Sequence, residues 1–224
     1  MIDWSKYEDE LIRYAFQKIW NQKWRGVDIP KHIYKSFLSG VTVISDQFTS
    51  ERRSLNSDYM SKPKGRYGYM LYFHLASVQR NLAVFEEIKR RNLIVQPIER
   101  VLDFGSGLGS ASWALFMAMQ EGDFSNSINL VASDLSKKTL DEMSQLLPIV
   151  LKEKSKALKV NFEPKIWDAR DPRTASQFSK EKPFDLILCS NMVNEICESS
   201  KNHAIKLLKM FMRRLTDHGM IVIV

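Results

Sequence analysis

The run VLDFGSGLG, Val101 to Gly109, holds the residues best suited to chemistry in this 224-residue sequence. A short apolar stretch feeds Gly105, Gly107 and Gly109, and then a segment to Gln120 that reads as a helix with Trp113, Leu115, Phe116 and Met119. Glycine lets a backbone turn sharply and come close to a ligand where any Cβ would intrude. Asp103 stands two residues before the turn, and Asp134 ends the next apolar run, INLVASD. An acid at the end of the second strand is placed to take the two hydroxyls of a ribose. A tight turn serving only packing is the competing reading. The spacing also separates ligand types. G-x-G-x-x-G presents a helix N-terminus to a pyrophosphate, whereas these glycines alternate as D-x-G-x-G-x-G.

The elements that must position these residues follow from hydrophobic periodicity. Leu11, Ile12, Ala15, Phe16, Ile19 and Trp20 form one helical stripe, and Ile33, Phe37, Val41, Ile44 and Phe48 a second. Glu51 to Gly68 reads as a polar, basic loop, and Leu71, Leu75, Val78, Leu82 and Phe85 mark a third helix ending in Lys89-Arg90-Arg91. From Arg100 strands and helices alternate. After VLDF and INLVASD come a helix from Lys137 to about Lys152 and a weaker strand, NFEPKIWD, whose Pro164 suggests an edge or bulge. FDLILCSN is a fourth strand, Ile205, Leu208, Met212 and Leu215 a helix, and GMIVIV a fifth strand. The pattern predicts an α/β fold: a doubly wound parallel sheet of five strands over residues 93–224, behind an N-terminal helical extension over 1–92.

Composition narrows the classes. At 44% hydrophobic residues the chain can bury a core, and seven prolines and nine glycines exclude collagen-like architectures. No apolar stretch reaches the roughly 18 residues of a membrane span. MIDWSKYEDE places acids where a secretory signal would be positive. Cys189 and Cys197 cannot make a disulfide framework, which fits a reducing compartment. His32, His74, His203 and His218 show no metal-ligand spacing, so no metal site is expected. Of the net charge of +7, +5 falls in residues 51–100, with ten basic residues against five acidic. Arg52, Arg53, Lys62, Lys64 and Arg66 lie together there and suit RNA phosphates, with a solvated basic surface as the alternative. The triplet Lys89 to Arg91 also complements a helix dipole, which is reason enough for it without RNA.

The glycine pattern with its two acids resembles that of the class I S-adenosylmethionine-dependent methyltransferases. That resemblance implies a Rossmann-like sheet and S-adenosylmethionine as cofactor. It places Gly105, Ser106, Gly107 and Gly109 along the cofactor, Asp103 near its methionine end and Asp134 on its ribose. Asp168 in WDARD would meet the adenine amino group, with Asp171 close by, and Asn191 joins the cofactor set from the fourth strand. The stretch CSNMVNEI, Cys189 to Ile196, matches neither the D/N-P-P-Y/F motif of amine methylation nor the Pro-Cys nucleophile of cytosine methylation. Asn191, Asn194 and Glu195 could face a substrate or cap the next helix, and no catalytic pair is assigned.

Tyr69 to Arg91, VLDFGSGLGSASWA, SDLSKKTLDEMSQLL and FDLILCSNMVNEI together resemble the methyltransferase-like protein of the mitochondrial small ribosomal subunit. The matches span about Tyr69 to Ile196. The resemblance implies association with small-subunit rRNA and ribosomal proteins, a role in ribosome assembly or structure, and the mitochondrial matrix; without it the expectation is cytoplasmic. Members of that family continue past the fifth strand and bind an iron–sulfur cluster through downstream cysteines. With Cys189 and Cys197 alone, this chain needs a partner's thiolates for such a cluster. The sequence stops at Val224, so the expectation is a second polypeptide pairing beside Ile221 to Val224. Two functions stand: an RNA-binding ribosomal component or assembly factor that retains the cofactor, and an active methyltransferase acting on RNA or a small molecule.

Overall fold

The computed structural model describes residues 2–21, 31–49, 60, 62–119, 121–152, 158–168, 171–192 and 201–224. It divides into two compact units, Met1–Ser77 and Val78–Val224.

The first unit is helical. In α1 (Trp4–Trp20), Asp3 caps the start by accepting from Ser5 N at 3.2 Å, and Asn21 closes the end in a left-handed conformation. Its stripe buries Tyr7, Leu11, Ala15 and Phe16. The next helix, α2 (Lys31–Thr49), buries Phe37 and Ile44. Part of the predicted basic loop is instead α3 (Pro63–Gly68), which opens on a proline that needs no N–H partner in a first turn. Its backbone lies directly against α2. A Cβ on Gly40 would sit 2.4 Å from the Lys64 carbonyl oxygen, and one on Gly68 would sit 2.6 Å from the Gly40 carbonyl carbon. Burial changes Arg66 too: it is 5% exposed and its guanidinium donates to the Met60 carbonyl at 2.8 Å. A π-helical turn, Tyr69–His74, continues the chain and buries His74, whose pKa desolvation lowers to about 3, so that the imidazole is neutral. The helix α4 (Leu75–Arg90) crosses the boundary between the units.

The end of α4 explains the basic triplet. Arg90 and Arg91 both pair with Glu87, and Asn92 turns left-handed so that Leu93 N reaches the Ile88 carbonyl. Arg90 and Arg91 are thus held by a carboxylate of their own helix, and Lys89 donates to the Ala118 carbonyl.

The second unit is built on five parallel strands in the order β3-β2-β1-β4-β5, as the alternating pattern requires: β1 (Ile98–Phe104), β2 (Phe124–Asp134), β3 (Lys159–Ile166), β4 (Phe184–Cys189) and β5 (Leu215–Ile223). Between them run α5 (Ser110–Ala118), α6 (Lys137–Leu151), α7 (Pro172–Phe178) and α8 (Lys201–Met212). Every residue of α5 from Ser110 to Phe116 is buried, so this helix is enclosed all round and has no amphipathic stripe. An aromatic core joins Phe104, Phe178, Phe184 and Phe211, with Phe104 and Phe211 edge to face at 5.0 Å. Pro164 sits in β3, an edge strand, where its missing donor costs no central ladder bond. Leu215, expected at the end of a helix, instead opens β5 opposite Phe184; the three-four spacing runs past the helix by coincidence. Among the described residues β5 pairs only with β4. No helix among them is long and apolar enough to cross a membrane.

Candidate functional site

The sheet order reverses between β1 and β4. From β1 the chain moves outward to β2 and β3, then crosses back to β4 on the other side. Carboxyl ends at such a switch point diverge and leave a crevice for a ligand. Gly105 to Gly107 leave β1 there, and Ser190 to Met192 leave the adjacent β4. All three glycines of the loop are left-handed, with φ of 68°, 53° and 84°, a conformation that side chains resist.

The three do different work. A Cβ on Gly107 would meet no atom of the described residues within 4 Å, so among them the loop presents open space there. On Gly105 it would lie 2.1 Å from Cγ and 2.3 Å from Sδ of Met192. On Gly109 it would lie 2.8 Å from Cε of Met143 in α6, and Gly109 itself is buried. Gly109 therefore serves the packing of α5 against α6. Ser106 is buried, donates its N–H to the Ser133 carbonyl at 2.8 Å, and has no hydrogen-bond partner for its hydroxyl among the described residues.

The two predicted acids come from neighbouring strands, Asp134 bonding to this loop and Asp103 to the helix that follows it. Asp134 accepts from Gly107 N at 3.0 Å through Oδ2 and from Ser136 N at 2.9 Å through Oδ1. Burial raises its pKa while these amide donors oppose the rise. Asp103 is fully buried and takes the Ser112 hydroxyl at 2.5 Å and the Ser112 N–H at 3.3 Å. Burial is the main cause of a pKa raised to about 6, the Ser112 donors work against it, and the charge of Asp134 adds to it. The sequence did not single out Ser112, although its place in the first turn of α5 follows from the helix start.

Beside Asp134 lie two exposed apolar side chains that sequence reasoning passed over: Leu135, next in the chain, and Ile166, its partner in the β2–β3 register. Asp171 caps α7 by accepting from Arg173 N at 2.8 Å and pairs with the Arg173 guanidinium, which lowers its pKa. Asp168 is half-buried at the end of the loop after β3, with its carbonyl accepting from Asp171 N.

After β4, Asn191 is exposed and left-handed at φ 62°, and its N–H donates to the Val224 carbonyl at 2.8 Å. Ser190 accepts from the buried Asn81 amide at 3.1 Å. Burial pushes the Cys189 thiol up to about 12, with Asp103 adding to the rise, so it stays protonated and is no nucleophile. Asn194, Glu195 and Cys197 lie outside the described residues, as do Arg52 and Arg53. In the helical unit Lys62 and Lys64 are exposed, but buried Arg66 is bound to Met60 and cannot offer itself to a phosphate, which corrects that assignment. Among the described residues no group of His, Cys, Asp and Glu is arranged to hold a metal ion.

No protein-family model matches the sequence, and no curated protein matches it. Solved structures do. An O-methyltransferase family protein from Burkholderia thailandensis superposes with a TM-score of 0.55 at 13% identity, covering 84% of this chain and 52% of that one. An S-adenosylmethionine-dependent methyltransferase from Clostridium acetobutylicum ATCC 824 gives a TM-score of 0.41 at 22% identity, over 64% and 49% of the two chains. The magnesium protoporphyrin IX methyltransferase of Synechocystis PCC 6803 gives 0.42 at 19% identity, over 79% and 72%. The chain spans about half the length of the first two. The five-stranded parallel sheet flanked by helices is thus the Rossmann-like fold of methyltransferases.

Proposed function

We propose that the second unit binds S-adenosylmethionine at Gly105 to Gly107. The observation that carries this reading is Asp134, a half-buried carboxylate held at Gly107 N–H, with no atom of the described residues standing over Gly107. A carboxylate there can exchange that N–H for ribose hydroxyls. The unpartnered Ser106 hydroxyl supplies a further polar group, and Leu135 and Ile166 offer apolar surface for a flat base. Asp103, half-protonated near pH 6, and Asp168 complete the acids at the strand ends. When bound, the cofactor supplies an activated methyl group; the chain's own residues bind and orient it.

Calorimetry with S-adenosylhomocysteine tests the site. Gly107→Arg adds a side chain where no atom of the described residues obstructs it, so folding should lose only about 1–2 kcal/mol from the left-handed backbone. Affinity should fall at least about 100-fold, roughly 2.7 kcal/mol. Equal binding by both proteins would remove the assignment.

The partner implied by the sequence resemblance is small-subunit rRNA, with this chain as a ribosomal component or assembly factor. The excess positive charge of residues 51–100 and the exposure of Lys62 and Lys64 support it. Replacing Arg52, Arg53, Lys62 and Lys64 by Ser should weaken binding to an rRNA fragment. Its salt slope should drop by about one for each phosphate no longer neutralised. An unchanged slope would leave the segment a solvated surface. Methyl transfer to RNA or a small molecule is the second reading, favoured by the intact loop with Asp134. Transfer of label from S-adenosylmethionine to either acceptor separates it from the first.

A further inference from the structure

We propose that Met192 is a built-in competitor for the ligand of the glycine loop, its thioether resting on Gly105 until a ligand displaces it. The proposal depends on the reading above, in which the ligand lies along Gly105 to Gly107.

Three observations carry it. The first is contact: the space a Cβ would take on Gly105 already holds Cγ and Sδ of Met192, with Cε 3.0 Å away. Among the described residues no comparable side chain stands within 4 Å of that position on Gly107, so of these two positions they cover only Gly105.

The second is how the side chain is aimed. Asn191 leaves β4 in a left-handed conformation, which few residues other than glycine adopt readily, and so turns the chain immediately before Met192. The turn is held from β5: Asn191 N–H donates to the Val224 carbonyl at 2.8 Å, and Val224 N–H donates to the Cys189 carbonyl at 3.3 Å. With the backbone held up to Asn191, the direction in which the chain enters Met192 is set by the β4–β5 pair.

The third is the nature of the residue. Met192 is partly buried against the aromatic core, but methionine is unbranched, with three rotatable side-chain bonds. It can leave Gly105 by changing rotamer while Asn191 and β4 stay in place. The cover is therefore reversible, and lifting it sacrifices the packing of one side chain.

A competitor of this kind lowers apparent affinity by the fraction of molecules whose site is open. Removing it should show as tighter binding. In calorimetry with S-adenosylhomocysteine, Met192→Ala is expected to bind about tenfold more tightly than the natural chain. Met192→Leu, similar in bulk, should stay within about twofold. A second measurement needs no substitution in the protein observed. With the methionine methyls labelled by carbon-13, and the Met192 signal assigned by its loss in Met192→Leu, saturating S-adenosylhomocysteine should shift that signal strongly. Equal or weaker binding by Met192→Ala, or an unmoved Met192 methyl at saturation, would overturn the competitor while leaving the cofactor site standing. Absence of binding to the natural chain and to Met192→Ala alike would overturn the site reading and the competitor with it.

Discussion

Gly68→Ala is expected to destabilise the helical unit by about 3 kcal/mol, the upper part of the range for an overpacked core. The sign is the informative part. Gly68 has ordinary helical dihedrals, φ −60° and ψ −45°, so alanine suits its backbone conformation. In a helix such a substitution normally stabilises by up to about 1 kcal/mol. Here the added carbon would lie 2.6 Å from the carbonyl carbon of Gly40 and 2.8 Å from Val41 N. These are backbone atoms of α2 and cannot swing aside as a side chain could. Gly40→Ala should behave alike, because its Cβ would press on the Lys64 carbonyl oxygen. Urea unfolding followed by far-ultraviolet circular dichroism is the check. Alanine at either site leaving stability unchanged or raised would show that α2 and α3 do not touch in this way.

The second large effect has the opposite sign. Asp103→Asn is expected to stabilise the protein at pH 7.5 by roughly 2–3 kcal/mol. Asp103 has its pKa raised from 3.8 to about 6 in the folded chain, chiefly by burial. Its folded-state pKa thus lies above the unfolded one. The carboxyl's contribution to stability is complete below about pH 3.8 and is lost as the pH rises through about 6. At about 1.4 kcal/mol per pKa unit the loss is about 3 kcal/mol at neutral pH. Asparagine keeps a carbonyl oxygen for the Ser112 hydroxyl and N–H while removing the charge. The advantage of the variant should therefore vanish below pH 4. Chemical unfolding of both proteins across pH 4 to 8 measures it, and a variant less stable at pH 7.5 would refute the cause given. Asp103 is a buried acid that costs stability at the end of β1, beside the proposed cofactor site. Asp103→Asn should accordingly trade weaker cofactor binding for its added stability.

The fold was largely legible because its signals are local. A strand buried on both faces reads as an apolar run, and VLDF, INLVASD and FDLILC all do. The glycine turn and the strand-ending acid are likewise local, and Asp134 accepts from Gly107 N–H. Where the reading failed, the deciding contact came from elsewhere in the chain. Arg66 looks like its basic neighbours, yet only the folded segment buries it under the Met60 carbonyl. Pro63–Gly68, read as loop for its charge and glycines, is helical because its glycines allow α3 to lie on Gly40. Leu215 fits the helical spacing and is claimed by Phe184 across the sheet.

By itself the sequence determined the parallel α/β architecture, the strand-loop-helix around Gly105 and the two acids, because apolar periodicity and glycine's conformational freedom act over a few residues. Only the tertiary structure distinguished the three glycines, which look alike in the string. Among the described residues nothing stands over Gly107, Gly105 lies under Met192, and Gly109 is closed by Met143. Those neighbours lie 34 or more positions along the chain and arrive through the crossover to β4 and the return of α6. Whether a residue lines a site or packs a core depends on what stands opposite it. That is set by the order of strands in the sheet, and no local pattern encodes it.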